Sequence, residues 1–136
     1  MKIHPDTLEH LILHLGRDDW MPIGEPAGYV ETFEEDPSKR RVLLVNTIRS
    51  LAQAGFIQMG DFAHRDPNDP DTRDWMEWPG TLDDQMTRLG KILDADDPDD
   101  TWRWTCWLNI TEAGRNAAAE LPKPSSRFFE WMRKRN

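Results

Sequence analysis

The first apolar pattern along the chain has the spacing of an amphipathic helix. Its members stand at positions i, i+3, i+4 and i+7, and they are Leu8, Leu11, Ile12 and Leu15. Asp6 precedes the pattern and can serve as the N-cap, Glu9 stands three residues later as in a capping box, and Gly16 follows the last apolar residue. The spacing predicts a helix between Asp6 and Gly16 that buries one face.

A longer amphipathic pattern covers residues 37–54. Asp36 can serve as its N-cap, Pro37 suits the first helical position, and Gly55 stands at its C-terminal side. The predicted buried arc consists of Leu44, Val45, Ile48, Leu51 and Ala52. The opposite face is mostly polar and is formed by Lys39, Val42, Asn46, Arg49, Ser50 and Gln53. This pattern predicts a helix with a cationic outer face.

Two stretches of alternating polarity predict β-strands. The first covers residues 56–62, and the second covers residues 101–108, where the residues that share one face are Trp102, Trp104, Cys106 and Leu108. We expect these two strands to pair. Residues 18–28 contain two prolines and two glycines among them, which predicts irregular structure, and residues 29–35 predict a short helix.

The C-terminal part of the chain predicts two further helices. Thr111 can cap the first, which continues until Pro122 and has Gly114 as its one weak position. The second is predicted over residues 126–134, and its apolar side chains are Phe128, Phe129 and either Trp131 or Met132.

The acidity of the chain is concentrated in one segment. The net charge is −8, but residues 61–100 contain thirteen acidic and four basic residues, a local charge of −9 that leaves +1 on the remainder. The edges of this segment are rich in Asp and Pro, as in solvated chain. In its middle Thr81 can cap a short helix whose apolar residues are Leu82, Met86, Leu89 and Leu93. Residues 122–136 carry five bases and one acid, which predicts a basic C-terminal helix.

Composition and motifs narrow the classes of function. No apolar run approaches the roughly 18 residues of a spanning helix and no secretory pattern begins the chain, so we expect a cytoplasmic protein with one domain, residues 1–136. His10 and His14 stand one helical turn apart without a third ligand, so no metal and no other cofactor are expected. Cys106 lies in a tryptophan-rich pattern, and no phosphate loop or nucleophile elbow occurs. The sequence therefore predicts binding and not catalysis.

Two segments resemble parts of a known fold. LLVNTIRSLAQAGFIQ at residues 43–58 is similar to the recognition helix and first wing strand of MarR-like and PadR-like bacterial regulators, and LNITEAGRNAAAEL at residues 108–121 is similar to their second wing strand and following helix. The resemblance covers about half of the chain. It implies an α+β winged helix-turn-helix in which residues 61–100 are an acidic, partly helical insertion between the wing strands. It also implies a transcriptional regulator that forms a homodimer through its first and last helices.

The same resemblance implies that the helix at residues 37–54 reads the major groove of double-stranded DNA. Its candidate contacts combine cations for phosphates with groups that can reach base edges, and they are Lys39, Arg40, Arg41, Asn46, Arg49, Ser50 and Gln53. An ordinary solvated amphipathic helix is the alternative for this face. The acidic insertion opposes DNA binding, because its carboxylates would repel phosphates.

The insertion leads to a second hypothesis, an acidic protein-binding module of the immunity or inhibitor type. Aromatic anchors surrounded by carboxylates can dock a basic protein, and the candidate contacts are Trp75, Trp78, Asp83 and Asp84. A flexible soluble loop without a binding role is the alternative. Because large exposed apolar patches are unusual on monomers, we expect the two tryptophans to occupy either a groove on the parent domain or a pocket of a partner.

Overall fold

The computed structural model describes residues 1–63, 66–69 and 71–135, which form an α+β fold of helices around one antiparallel sheet. The helices are α1 (Leu8–Leu15), α2 (Gly24–Tyr29), α3 (Pro37–Gln53), α4 (Leu82–Asp94), α5 (Glu112–Ala119) and α6 (Ser126–Arg135). The strands are β1 (Met21–Pro22), β2 (Ile57–Ala63), β3 (Asp74–Glu77) and β4 (Trp107–Ile110). Two short 3₁₀ helices complete the fold, Val30–Thr32 and Thr101–Trp104.

The first helix begins one residue later than its sequence pattern predicts. Thr7 is its N-cap, because the Thr7 hydroxyl accepts a hydrogen bond from the His10 backbone N–H at 3.3 Å. Asp6 instead adopts a left-handed backbone conformation with φ of 60°. Its carboxylate accepts a hydrogen bond from the Ser125 backbone N–H at 2.8 Å. Asp6 therefore connects the start of α1 to the segment before α6.

The cap and the proline predicted for α3 are confirmed. Asp36 accepts a hydrogen bond from the Ser38 backbone N–H at 3.0 Å, and Pro37 takes the first helical position, where its missing N–H needs no partner. The side chains that α3 buries are Leu44, Thr47, Ile48 and Leu51. The predicted arc is therefore shifted, because Thr47 is buried whereas Val45 and Ala52 are only partly buried.

The predictions for residues 18–35 are wrong in three places, the first being the two-residue strand β1 inside the stretch predicted as irregular. Residues 24–29 form α2, although two glycines and a proline predict irregular chain. Pro26 is tolerated because it lies in the first turn, where backbone N–H groups have no acceptor within the helix. The short helix predicted at residues 29–35 is reduced to the 3₁₀ turn Val30–Thr32.

The sheet has the strand order β1-β4-β2-β3, and all its pairs are antiparallel. The expected pairing of the second and fourth strands is confirmed, with Ile57 opposite Ile110 and Gly60 opposite Trp107. The second predicted strand is wrong over residues 101–106: residues 101–104 form a 3₁₀ helix, and β4 begins only at Trp107. The Asp97 carboxylate accepts hydrogen bonds from the hydroxyl group at residue 101 and from the backbone N–H at residue 102, and these bonds favour the turn.

The inner face of the sheet and the insertion share one hydrophobic core. The sheet contributes Ile57, Met59, Leu108 and Ile110, all of them buried. The predicted helix in the insertion is confirmed as α4, capped by Thr81, and it adds Met86 and Leu89 to the same core. The insertion is therefore packed as part of the domain. Its residue Trp78 is only 3% exposed and belongs to the same core.

The last two helices follow the sequence closely. Thr111 caps α5, which ends at Ala119, two residues before the predicted end. In α6 Phe128 is buried and Phe129 is partly buried, as their spacing predicts. The alternative between Trp131 and Met132 falls on side chains outside the described residues. None of the helices in the described ranges has the length and apolar character that crossing a bilayer requires.

The cap of α4 predicts a pH dependence of stability. The backbone N–H and the hydroxyl group of Thr81 hold the pKa of Asp84 below its usual value of 3.8. A carboxylate whose pKa is depressed by folding stabilises the fold above its unfolded pKa, and this contribution is lost as the pH falls through the folded pKa. We expect Asp84→Ala to lower the urea midpoint near pH 7 and to have less effect at the lowest pH at which the fold persists. An equal loss at both pH values would contradict this account.

Candidate functional site

The cationic face predicted on α3 is partly covered by the insertion. Arg41 donates a hydrogen bond to the carboxylate of Asp94 at the end of α4, and Arg49 Nη1 lies 2.8 Å from Asp83 Oδ1 near its start. These contacts place α3 and α4 side by side in opposite directions. Each exposed ion pair contributes little to stability, but both lower the positive potential of α3.

The remaining predicted DNA contacts are divided between the protein and solvent. Arg40 is partly buried, and its Nε donates a hydrogen bond to the Glu34 carbonyl at 2.6 Å, with Glu31 4.0 Å from the guanidinium. The other predicted contacts on α3 are exposed, and they are Lys39, Asn46, Ser50 and Gln53. Each of the three arginines among the predicted contacts therefore has a partner within the chain.

The four residues predicted to dock a protein partner do not form one surface. Trp78 is buried, its indole N–H donates to Asp61 at 3.1 Å, and the Arg88 guanidinium lies 4.2 Å from its ring centroid. Of the two places expected for the tryptophans, Trp78 occupies the groove on the parent domain. The carboxylates of Asp83 and Asp84 are held by Arg49 and by the helix cap. The fourth residue, Trp75, lies on the outer side of the sheet.

The outer side of the sheet carries a continuous group of aromatic rings, which we call the aromatic sheet face: Trp20, Phe62, Trp75, Trp104 and Trp107. Trp20 stacks on Phe62 with 5.5 Å between ring centroids, and it lies 5.7 Å from Trp75. Phe62 meets Trp107 edge-on at 4.8 Å, and Trp107 lies 5.9 Å from Trp104. Four of these side chains are partly buried and Trp104 is 61% exposed.

Strand register explains how the aromatic sheet face forms. Side chains alternate between the two faces of a strand, so β2 directs Met59 inward and Phe62, an odd number of positions later, outward. Phe62 stands opposite Trp75 in the β2–β3 pair. Trp107 is on the outer side of β4, and its indole N–H donates to the Trp104 carbonyl at 3.0 Å. This site does not follow from the sequence patterns, because none of them predicts β3.

Carboxylates border the aromatic sheet face in the adjoining segments. We call these residues the acidic rim: Asp18 and Asp19, which directly precede Trp20, and Glu77, which lies on the same face of β3 as Trp75. Asp19 accepts a hydrogen bond from the Trp20 backbone N–H at 2.8 Å, which fixes its carboxylate at the Trp20 backbone. Arg73 is a cation on the face itself, with its guanidinium 4.8 Å from the Phe62 ring centroid. The site thus combines large apolar anchors with a surplus of negative charge.

Comparisons with protein families, curated proteins and solved structures found no match. Function is therefore inferred from the side chains of the described residues.

Of the groups that the sequence singled out for catalysis or metal binding, Cys106 and His10 are buried, whereas His14 is partly exposed. Burial raises the pKa of the Cys106 thiol far above its usual range, so the thiolate is not populated at neutral pH. His10 is fully buried, and its Nδ1 accepts a hydrogen bond from the Asp6 backbone N–H at 3.0 Å. Within the described ranges no group of three His, Cys, Asp or Glu side chains could hold a metal ion.

Proposed function

We propose that the protein is a non-enzymatic binding module that holds a basic protein partner on its aromatic sheet face. The single observation that carries this proposal is the contiguous group of five aromatic rings on the solvent side of the sheet, bordered by the acidic rim. Tryptophan is the residue most enriched among side chains that dominate binding energy, and large apolar patches on protein surfaces mark interaction sites. The surplus of carboxylates selects a partner with a basic surface.

The order of elements is compatible with a winged helix, and we include that fold in the proposal. In this interpretation α1, α2 and α3 are the helical part, and β2 and β4 are the two strands of the wing. The third strand β3 and the helix α4 are the insertion between them. The insertion changes the use of the fold, because α4 pairs with two arginines of α3 while β3 contributes Trp75 to the opposite side of the sheet.

DNA binding through α3 remains a prediction that is less favoured by the geometry. Phosphate contacts supply most of the affinity of a protein for duplex DNA. Here Arg41 and Arg49 already contact Asp94 and Asp83, and the phosphates would approach the carboxylates of α4. Lys39, which is exposed, is a cation on this face that the ion pairs leave to solvent.

Site-specific photo-crosslinking in cells tests the proposal. In the test variant a crosslinking amino acid replaces Glu77, which is exposed and lies on the same face of β3 as Trp75. In the matched control it replaces Gln53, which is exposed on α3. We expect a basic protein to be captured from position 77 and not from position 53. The captured protein is then purified and its binding measured by calorimetry, where we expect the affinity to fall as salt rises.

Two results would overturn the proposal. The first is capture of a basic protein from position 53 and not from position 77, which would place the binding surface on α3. The second is low-salt binding of a mixed-sequence DNA duplex, measured by fluorescence anisotropy, that Arg49→Ala removes and Asp83→Asn strengthens. That pair of changes would assign the function to α3 and to nucleic acid.

A further inference from the structure

A cleft of about 320 Å³ lies between the C-terminal end of α1 and α5. Its polar lining is His14 from the last turn of α1, Arg17 and Asp18 from the segment that follows α1, Arg115 from α5, and Lys123 from the segment that follows α5. Its apolar lining comes from the end of α5 and the residue just beyond it, namely Ala118, Ala119 and Leu121. The cleft thus has a charged part and an apolar part, which together suit an amphipathic ligand.

The charge of this cleft is opposite to that of the chain. Arg17, Arg115 and Lys123 are permanent cations and face one carboxylate, Asp18, whereas the chain carries a net charge of −8. Arg17 Nε lies 3.7 Å from the Asp18 carboxylate, and both side chains are well exposed, so this pair is weak. The surplus of positive charge is therefore available to a ligand.

Backbone contacts orient both guanidinium groups. Arg115 Nη1 donates a hydrogen bond to the Ile110 carbonyl at 2.7 Å, and Arg17 Nη1 donates one to the His14 carbonyl. Each guanidinium keeps further N–H donors in its planar fork, and such a fork matches the oxygens of a phosphate. Fixing the group before binding reduces the conformational entropy that binding would otherwise lose.

We propose that this cleft binds the phosphate group of a small phosphorylated ligand. Cations from three positions along the chain suit a phosphate monoester, which is close to a dianion at neutral pH, better than a monoanionic carboxylate. The apolar lining accommodates the organic part of the ligand. The site does not depend on the aromatic sheet face, so it can be tested without a protein partner.

Calorimetry with butyl phosphate, inorganic phosphate and pentanoate tests the ligand class. We expect butyl phosphate to bind more tightly than inorganic phosphate, because its butyl group also contacts the apolar lining. It should also bind more tightly than pentanoate, because the phosphate group carries more negative charge than the carboxylate. Arg17→Gln and Lys123→Gln should each weaken butyl phosphate binding about tenfold, since each removes a charge-assisted hydrogen bond. Both side chains are exposed, so the variants should fold as the parent does. Arg115 is left unchanged because its hydrogen bond to the Ile110 carbonyl joins α5 to β4, whereas Arg17 contacts the His14 carbonyl three residues before it in the chain.

Lys91→Gln is the matched control, because it removes the same charge from α4, outside the cleft. Butyl phosphate binding should be unchanged in this variant. An equal loss in Lys91→Gln and Lys123→Gln would show a diffuse charge effect and would overturn the proposal. Pentanoate that binds as tightly as butyl phosphate would overturn the choice of phosphate, and no saturable binding of either probe would overturn the site.

The titration of His14 reports where the phosphate is bound. Its pKa is lowered by burial and then by the positive charge of Arg17, with smaller contributions from His10 and Lys123, and Asp18 opposes them. A phosphate in the cleft adds negative charge next to this ring and should raise the pKa of His14, measured by NMR with and without butyl phosphate. An unchanged His14 pKa at saturating ligand would place the phosphate elsewhere and contradict the proposal.

Discussion

Replacing Gly114 by alanine is expected to lower the free energy of unfolding by about 3 kcal/mol, because the added methyl group has no space. A Cβ at this position would lie 2.2 Å from the Phe56 carbonyl oxygen and 3.0 Å from Ile110 Cγ2. The backbone cannot withdraw easily, since the Phe56 carbonyl accepts a hydrogen bond from the Thr111 backbone N–H at 3.0 Å. The Thr111 hydroxyl also donates to the Gly55 carbonyl at 2.6 Å. Urea denaturation followed by circular dichroism measures the loss.

Gly90→Ala is the matched control for Gly114→Ala. Gly90 lies within α4, and a Cβ added there meets no atom within 4 Å beyond its chain neighbours and the backbone of its own helix. Alanine is favoured over glycine inside a helix by about 1 kcal/mol, so this variant should be at least as stable as the parent protein. If Gly114→Ala were equally well tolerated, the contact between α5 and the start of β2 would be looser than the structure shows.

This contact also changes how the glycine in α5 is interpreted. From the sequence Gly114 is a weak position in a helix, because glycine has a low helix propensity. In the structure it is the position at which the helix backbone touches the Phe56 carbonyl. The helix pattern predicts α5 correctly, but the reason for its glycine is a contact between residues more than fifty positions apart.

Elements with local signals could be predicted from the sequence. The helix α3 has a capping aspartate and a proline at its first position, and α4 has a threonine cap and regularly spaced apolar residues. The strand β3 has no such signal. Its four residues, Asp74–Glu77, form a strand because β2 lies beside them, and this pairing is tertiary. The strand predicted from the tryptophan pattern at residues 101–104 does not form, because local hydrogen bonds to Asp97 favour a turn.

The candidate site was predicted only in its parts. The cations of α3 and the carboxylates of the insertion are visible in the sequence, but their mutual contacts require α4 to lie along α3. Trp75 was identified as a candidate contact, whereas its neighbours Trp20 and Phe62 were not, because these rings come together only through the strand order of the sheet. Trp78 is three residues from Trp75 and lies in the core.

Trp104→Ala is expected to weaken binding of the basic partner about 30-fold, corresponding to the loss of about 2 kcal/mol that is typical of a dominant aromatic contact. Trp104 is 61% exposed, so its removal should leave folding stability almost unchanged. Val42 on α3 has a similar exposure of 58%, and Val42→Ala is the matched control. Calorimetry against the purified partner measures both variants. Equal affinities for Trp104→Ala and Val42→Ala would remove the aromatic sheet face as the binding site.

Kinetics separate the roles of the rings and of the acidic rim. An aromatic side chain that becomes buried in the complex acts after the partner has docked, so Trp104→Ala should raise the dissociation rate. Carboxylates at the edge act before docking, so the double substitution Asp18→Asn with Asp19→Asn should lower the association rate and its dependence on salt. Both side chains are exposed and adjoin Trp20, so the substitutions change charge near the face without altering its rings. An association rate that stays the same at low salt would show that the acidic rim does not guide the partner to the rings.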